Sequence, residues 1–182
     1  MPRRLRTKLE GTVLLEPDVH GDERGFFLET FRRDLWAAHG VDGEFVQHNH
    51  SRSAKGTLRG MHFQTEPGQA KLVRCSHGKI FDVAVDLRRD SPTFGKWEGH
   101  FLDDEVHLQL YVPIGFGHGF VVLSEVADVS YLCSSVYDPV TESGIAWDDP
   151  GVGIEWPVSE PLLSVRDCEA PRLAELSANL PF

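Results

Sequence analysis

From Leu72 to Tyr137 apolar residues return at every second position, in short runs divided by turn-forming residues, and no other pattern in the chain limits its fold as strongly. Phe81, Val83, Val85 and Leu87 alternate with Asp82, Ala84 and Asp86, and Trp97, Gly99 and Phe101 alternate with Lys96, Glu98 and His100. Leu108, Leu110 and Val112 alternate in turn with His107, Gln109 and Tyr111. Successive side chains of a strand point to opposite faces, so each run predicts a strand with one dry face. Phe120 to Leu123 is apolar throughout, which predicts a strand covered on both faces. Val129, Tyr131, Cys133, Ser135 and Tyr137 fall on one side of a further strand. His77-Gly78, Ser91-Pro92 and Gly95 supply turns. Short strands at this spacing build an all-β sandwich or barrel, and among these a jelly roll closes enough of its edges to enclose a ligand cavity.

The flanking segments fit that frame. Thr12 to Leu15 predicts a strand ended by Pro17, and the turn Gly21 to Gly25 predicts a hairpin that returns through Phe26, Phe27 and Leu28. Phe31, Leu35 and Ala38 or His39 recur at helical spacing, which predicts one short helix within Phe31 to Gly40, closed by Gly40. Phe45, Gln47 and Asn49 share a face of an extended run, and two amides on a central strand call for a polar ligand. Beyond Asp138 the pattern fades into a loop over Asp148 to Pro157 and a short helix within Ala170 to Ala178, with Pro171 near its first turn. Without repeats or linkers, residues 1–182 read as a single domain large enough for one core.

Composition removes several classes of function. A formal charge of -10 opposes bulk nucleic-acid binding, which needs a basic surface. No run approaches the roughly 20 apolar residues of a membrane span, and the basic start, Met1 to Lys8, lacks the apolar run of a signal peptide. Three widely spaced cysteines, Cys75, Cys133 and Cys168, imply a reducing compartment, with cytoplasm the expectation.

Chemistry concentrates between Gln47 and Lys71, where histidines, arginines, lysines and amides crowd one segment. Gly60 interrupts its strand Thr57 to Gln64, the mark of a bulge or a close approach, and His62 follows. Taken alone, His62 reads more readily as a core histidine bonded to a backbone carbonyl, and its reactive neighbours shift that balance. Pro113 to His118 matches P-x-G-x-x-H and resembles the second signature of cupin jelly rolls, whose histidine often binds a metal. The matching first signature joins an H-x-H to a nearby glutamate. His48 and His50 provide the histidines, but Ser51 to Thr57 contains no glutamate, so no metal is expected. What remains is a cavity lined with His, Arg, Lys and Tyr, suited to anion binding and acid/base work.

A resemblance then covers almost the whole chain. Arg24-Gly-Phe-Phe-Leu-Glu29, Gln47-His-Asn49, Leu58-Arg-Gly-Met-His-Phe63, Gln69-Ala-Lys71, Val83-Ala-Val-Asp-Leu87, Ser91-Pro-Thr-Phe-Gly95, Gly115-Phe-Gly-His-Gly-Phe120, Tyr131, Tyr137-Asp-Pro139 and Trp147-Asp-Asp-Pro150 resemble, in order, the dTDP-4-dehydrorhamnose 3,5-epimerase family. The resemblance implies a cupin-type jelly roll with a few short peripheral helices, working without a cofactor as a homodimer whose partner contributes to each site. It implies action on dTDP-4-dehydro-6-deoxyglucose at carbons 3 and 5. His62 matches the family's base, Asp167 its paired carboxylate, Tyr131 the proton donor and Lys71 a substrate-binding lysine. Arg24, Phe27, Glu29, Gln47, His48, Asn49, Arg59, His118, Tyr137, Glu142 and Arg166 match positions that bind the nucleotide sugar. Judged without the family, Tyr131 and Tyr137 read as core tyrosines and Asp167 as a helix cap. Met61 stands where the family more often has leucine, a swap that conserves volume. Three alternatives stay open: a 3-epimerase of another deoxysugar pathway, a metal-dependent cupin, and a non-catalytic sugar-nucleotide binding module.

Overall fold

A computed structural model describes residues 1–182. The strands in chain order are β1 (Arg3–Leu5), β2 (Val13–Glu16), β3 (Val19–Asp22), β4 (Gly25–Leu28), β5 (Gln47–Ala54), β6 (Leu58–Gln64), β7 (Lys71–His77), β8 (Lys79–Asp86), β9 (Trp97–Asp103), β10 (Gln109–Val112), β11 (Phe116–Val122), β12 (Val126–Cys133) and β13 (Glu142–Gly144). Helices α1 (Arg33–Ala38), α2 (Val165–Cys168) and α3 (Leu173–Leu176) are short. One sheet runs β1-β2-β10-β7-β12-β5 and the other β13-β6-β11-β8-β9, while β3 and β4 pair only with each other. The strands pair antiparallel within both sheets, giving the cupin-type jelly roll that the alternation and the resemblance predict. No helix is long and apolar enough to cross a membrane.

Three apolar clusters hold the layers together. Leu14, Val73, Leu110 and Val129 of the first sheet meet Ile80, Ala84, Leu102, Phe120 and Val122 of the second inside the barrel. Outside the first sheet, α1 lays Trp36 on Val13, Leu15, Leu72 and Tyr111. Outside the second, the C-terminal segment covers Met61, Phe63, Val83 and Val85 with Ile145, Val152, Leu173 and Leu180. Each such side chain contributes about 1.5–3 kcal/mol on leaving water.

These outer layers explain where the strands depart from one dry face each. β8 and β10 are buried along nearly their whole length, because α1 and the C-terminal segment cover the faces that the sequence leaves polar or apolar alike. Asp82 and Asp86 are therefore interior residues. In β9 the expected faces are reversed in part: Glu98 and Leu102 are buried, while Phe101 is 51% exposed. Glu98 is held inside by the Lys8 amide at 2.7 Å and by the Thr12 hydroxyl.

Other differences have local causes. β12 stops at Cys133, since Ser134 turns to bond Ala70 through both its amide and its hydroxyl, so Ser135 and Tyr137 lie beyond the strand. β5 is an edge strand, not a central one. Helix α1 begins two residues after Phe31 and is fixed by Trp36, whose indole donates to Gln109 Oε1 at 2.9 Å, with Gly40 (φ +93°) beyond its end. The hairpin expected around Gly21 to Gly25 is β3–β4. The short helix expected after Ala170 is α3, and α2 is an additional turn that the sequence pattern does not announce.

Candidate active site

Strand β6 carries the residues around which the site is built. His62 pairs with His118 of β11, but the next pair is Arg59 with Phe120, and the register shifts between them. The shift is a bulge at Gly60, where φ is +140° and a Cβ would stand 2.5 Å from the Gly119 Cα. Residues three apart on a regular strand face opposite ways. The bulge instead brings both Arg59 and His62 to one cavity of about 250 Å³, which Lys71, His118, Phe120, Tyr131, Arg166 and Asp167 also line.

His62 Nε2 lies 2.6 Å from Asp167 Oδ1. Asp167 is only 4% exposed, and its second oxygen accepts from Ser164 Oγ at 2.8 Å. Ser164 caps α2 by accepting from the Asp167 amide, so a single turn of helix fixes both ends of that carboxylate. Asp167 is thus a helix residue beside its cap and the partner of His62 at once. Burial would raise its pKa, but the His62 hydrogen bond and charge, with Ser164 and Arg166, bring it below the usual value. Burial raises the Tyr131 phenol, only partly offset by Asn49 and Arg59, so it keeps its proton at neutral pH. Burial lowers the Lys71 ammonium, against the opposing pull of Cys133, Glu142 and Asp82.

A second groove of about 520 Å³ adjoins the cavity through His62 and is lined by Glu142, Val165, Arg166 and Asp167. Glu142 Oε2 accepts from the Tyr137 hydroxyl at 2.7 Å and pairs with Arg166. Gln47 Nε2 donates to Asn49 Oδ1 at 2.9 Å, and Gln47 Oε1 accepts the Tyr137 amide at 2.8 Å. The two amides expected to need a ligand thus partly satisfy each other.

Gln47, Asn49 and Tyr137 reach the groove only through this run of hydrogen bonds to Glu142, and Arg24, Phe27, Glu29 and His48 lie apart from it and from the cavity within one chain. Arg24 pairs with Asp22 on the exposed β3–β4 hairpin. Phe27, 70% exposed, and Glu29 line a separate hollow with Trp36. His48 points to the outer face of its sheet and borders a depression with Arg74 and Ser130. His50 shares that outer face, 3.6 Å from Asp128, so the H-x-H pair is turned away from His62. Ser164 and Asp82 escape the sequence reading. The pattern Ser164-Val-Arg-Asp167 carries a capping signal that would have found the first.

The cavity therefore holds a histidine oriented by a carboxylate, a protonated phenol and a half-buried amine, with two arginines in its lining. That set can remove a proton, return one, and stabilise an oxyanion between the two steps.

Comparison with known proteins places the chain among relatives. Residues 6–175 match the family model described as dTDP-4-dehydrorhamnose 3,5-epimerase. The dTDP-4-dehydrorhamnose 3,5-epimerase of Shigella flexneri is 49% identical over 94% of this chain and 96% of its own. The dTDP-4-dehydrorhamnose 3-epimerase of Streptomyces niveus is 46% identical over 92% of this chain and 82% of its own. The dTDP-6-deoxy-D-glucose-3,5-epimerase of Legionella pneumophila, solved in complex with dTDP-4-keto-L-rhamnose, superposes with a TM-score of 0.96 at 43% identity, covering 99% of this chain and 97% of that one.

Proposed function

The chain belongs to the dTDP-4-dehydrorhamnose 3,5-epimerase family, and from that premise we propose that it inverts carbons 3 and 5 of dTDP-4-dehydro-6-deoxy-D-glucose to give dTDP-4-dehydro-L-rhamnose. The observation that carries the reading is the His62–Asp167 pair set in one cavity with Tyr131 and Lys71.

Both carbons flank a ketone, so removing either proton gives an enolate, and return of a proton from the opposite face inverts the centre. His62 is the base. Asp167 accepts from its Nε2–H, which leaves Nδ1 unprotonated to take the carbon-bound proton and favours the imidazolium that results, a contribution of roughly 10²–10⁴ in rate. Lys71 offsets charge on the enolate oxygen as it develops. Tyr131 is the acid. The reaction is redox-neutral, and these side chains supply every proton transfer it needs, so no cofactor is required. Arg59, Arg166, His118, Gln47, Asn49, Tyr137 and Glu142 hold the nucleotide sugar, the arginines by forked hydrogen bonds to the diphosphate.

Arg24, Phe27, Glu29 and His48 complete the site in a homodimer. The first three lie on or just after a hairpin that pairs with neither sheet, which supports the reading that the hairpin serves the cavity of a partner. The free cysteines fit a cytoplasmic, reducing setting.

Proton NMR of the sugar in deuterated water tests the reaction. Exchange with inversion at both carbons is expected. Inversion at carbon 3 alone would assign the activity of the Streptomyces niveus relative, and absence of exchange would leave only a binding module.

A further inference from the structure

Of the two carboxylates that strand β8 buries, Asp86 at its end is bonded by Arg88, Ser91 and Thr93, whereas Asp82 stands where a barrel built for stability alone would have an apolar side chain. Asp82 is 0% exposed, and its interior neighbours along the strand are Ile80 and Ala84. Its only side-chain partner is His118, whose Nε2 stands 3.1 Å from Oδ1 and 3.0 Å from Oδ2. Burying a carboxylate costs several kcal/mol against an apolar side chain of similar volume unless its partners compensate well. A single imidazole is a meagre partner for so large a cost, so what the burial gains must be sought in the histidine.

That histidine is 6% exposed and lines the cavity beside His62, its paired neighbour on β6, with Lys71 and Tyr131 on the facing sheet. A carboxylate can only accept, so the proton of the shared hydrogen bond belongs to Nε2. With Nε2 committed to the barrel wall, Nδ1 has no protein partner and is the nitrogen left for the substrate.

We propose that Asp82 is a positioning residue for the epimerisation: through Nε2 it fixes the ring of His118 so that Nδ1 is held at the oxygen on carbon 4 of the sugar, beside Lys71. The assignment rests on the proposed function for the identity of that oxygen. Asp82 also acts on Lys71 directly, since its charge helps to counter the burial that lowers the ammonium's pKa. One buried carboxylate thus stands behind both groups that meet the enolate oxygen.

Nitrogen-15 NMR of the imidazoles in the ligand-free protein, joined to steady-state kinetics, tests this. In the wild type His118 carries its proton on Nε2. In Asp82→Leu that preference is lost, kcat falls between about 10- and 100-fold, and KM and dTDP affinity stay within about threefold of wild type. Asp82→Asn keeps an acceptor oxygen facing Nε2 and recovers most of the lost kcat. Should the leucine variant not fold, the wild type and Asp82→Asn decide the matter alone, since both must show Nε2 protonated. An unprotonated Nε2 in the wild type, a leucine variant with wild-type kcat, or variants that lose dTDP affinity and kcat in equal measure would overturn the assignment. If the wild type leaves the sugar unchanged, it is the proposed function that fails, and the imidazole spectra still judge Asp82.

Discussion

At the scale of single residues, the two proton transfers can be separated. His62→Ala removes the base while leaving the groups that hold the nucleotide, so turnover and solvent exchange at carbons 3 and 5 should both vanish with dTDP affinity nearly unchanged. Activity within tenfold of wild type would refute the role. Tyr131→Phe keeps the base and Lys71. It should still admit deuterium from solvent without inversion, while net epimerisation drops by roughly 10²–10⁴; a normally epimerising variant would pass the donor role to another group, with Tyr137 the first to test. The residues proposed for the chemistry were named in the sequence by the resemblance; spacing alone reads His62 and Tyr131 as core residues and Asp167 as a cap, because it does not say which faces meet across the barrel. Their supports were less legible. Asp82 reads as the wet side of an alternating strand, and only the three-dimensional fold shows that side to be the barrel interior.

At the scale of elements, alternation announced the strands and the jelly roll, but it could not say which face of each would be covered. That depends on α1 and the C-terminal segment, which pack from far away in sequence. Helix α2 was invisible because one turn leaves no periodicity, although its capping serine was in view. The turn after β8 carries a prediction of its own. Asp86 is fully buried, and burial would raise its pKa, yet hydrogen bonds from Arg88, Ser91 and Thr93 bring it down to about 2 from 3.8. A depressed carboxyl adds stability that is complete above the unfolded value and fades as pH falls toward the folded one. Asp86→Asn should therefore lower the unfolding free energy by about 2 kcal/mol at neutral pH. In denaturant titrations the gap from wild type should close between pH 4 and pH 2; a gap independent of pH would mean that charge is not its source.

At the scale of the whole molecule, light scattering should give twice 20.4 kDa. A monomer with full activity would contradict the homodimer. The edge strand β5 and the outer face around Arg74, whose Nε is buried without a partner, are surfaces that a second copy could cover. The detached hairpin has a genetic consequence. If the arginine at its tip serves the neighbouring subunit, a chain lacking His62 and a chain lacking Arg24 carry defects in different halves of the same composite site. Each alone is crippled twice over. When the two are unfolded together and refolded as a mixture, every mixed dimer pairs one intact cavity with one intact hairpin, and one working centre reappears where neither parent had any. Such complementation needs no new contact, only exchange of subunits. A mixture that stays as inactive as its parents would place the hairpin's work within its own chain.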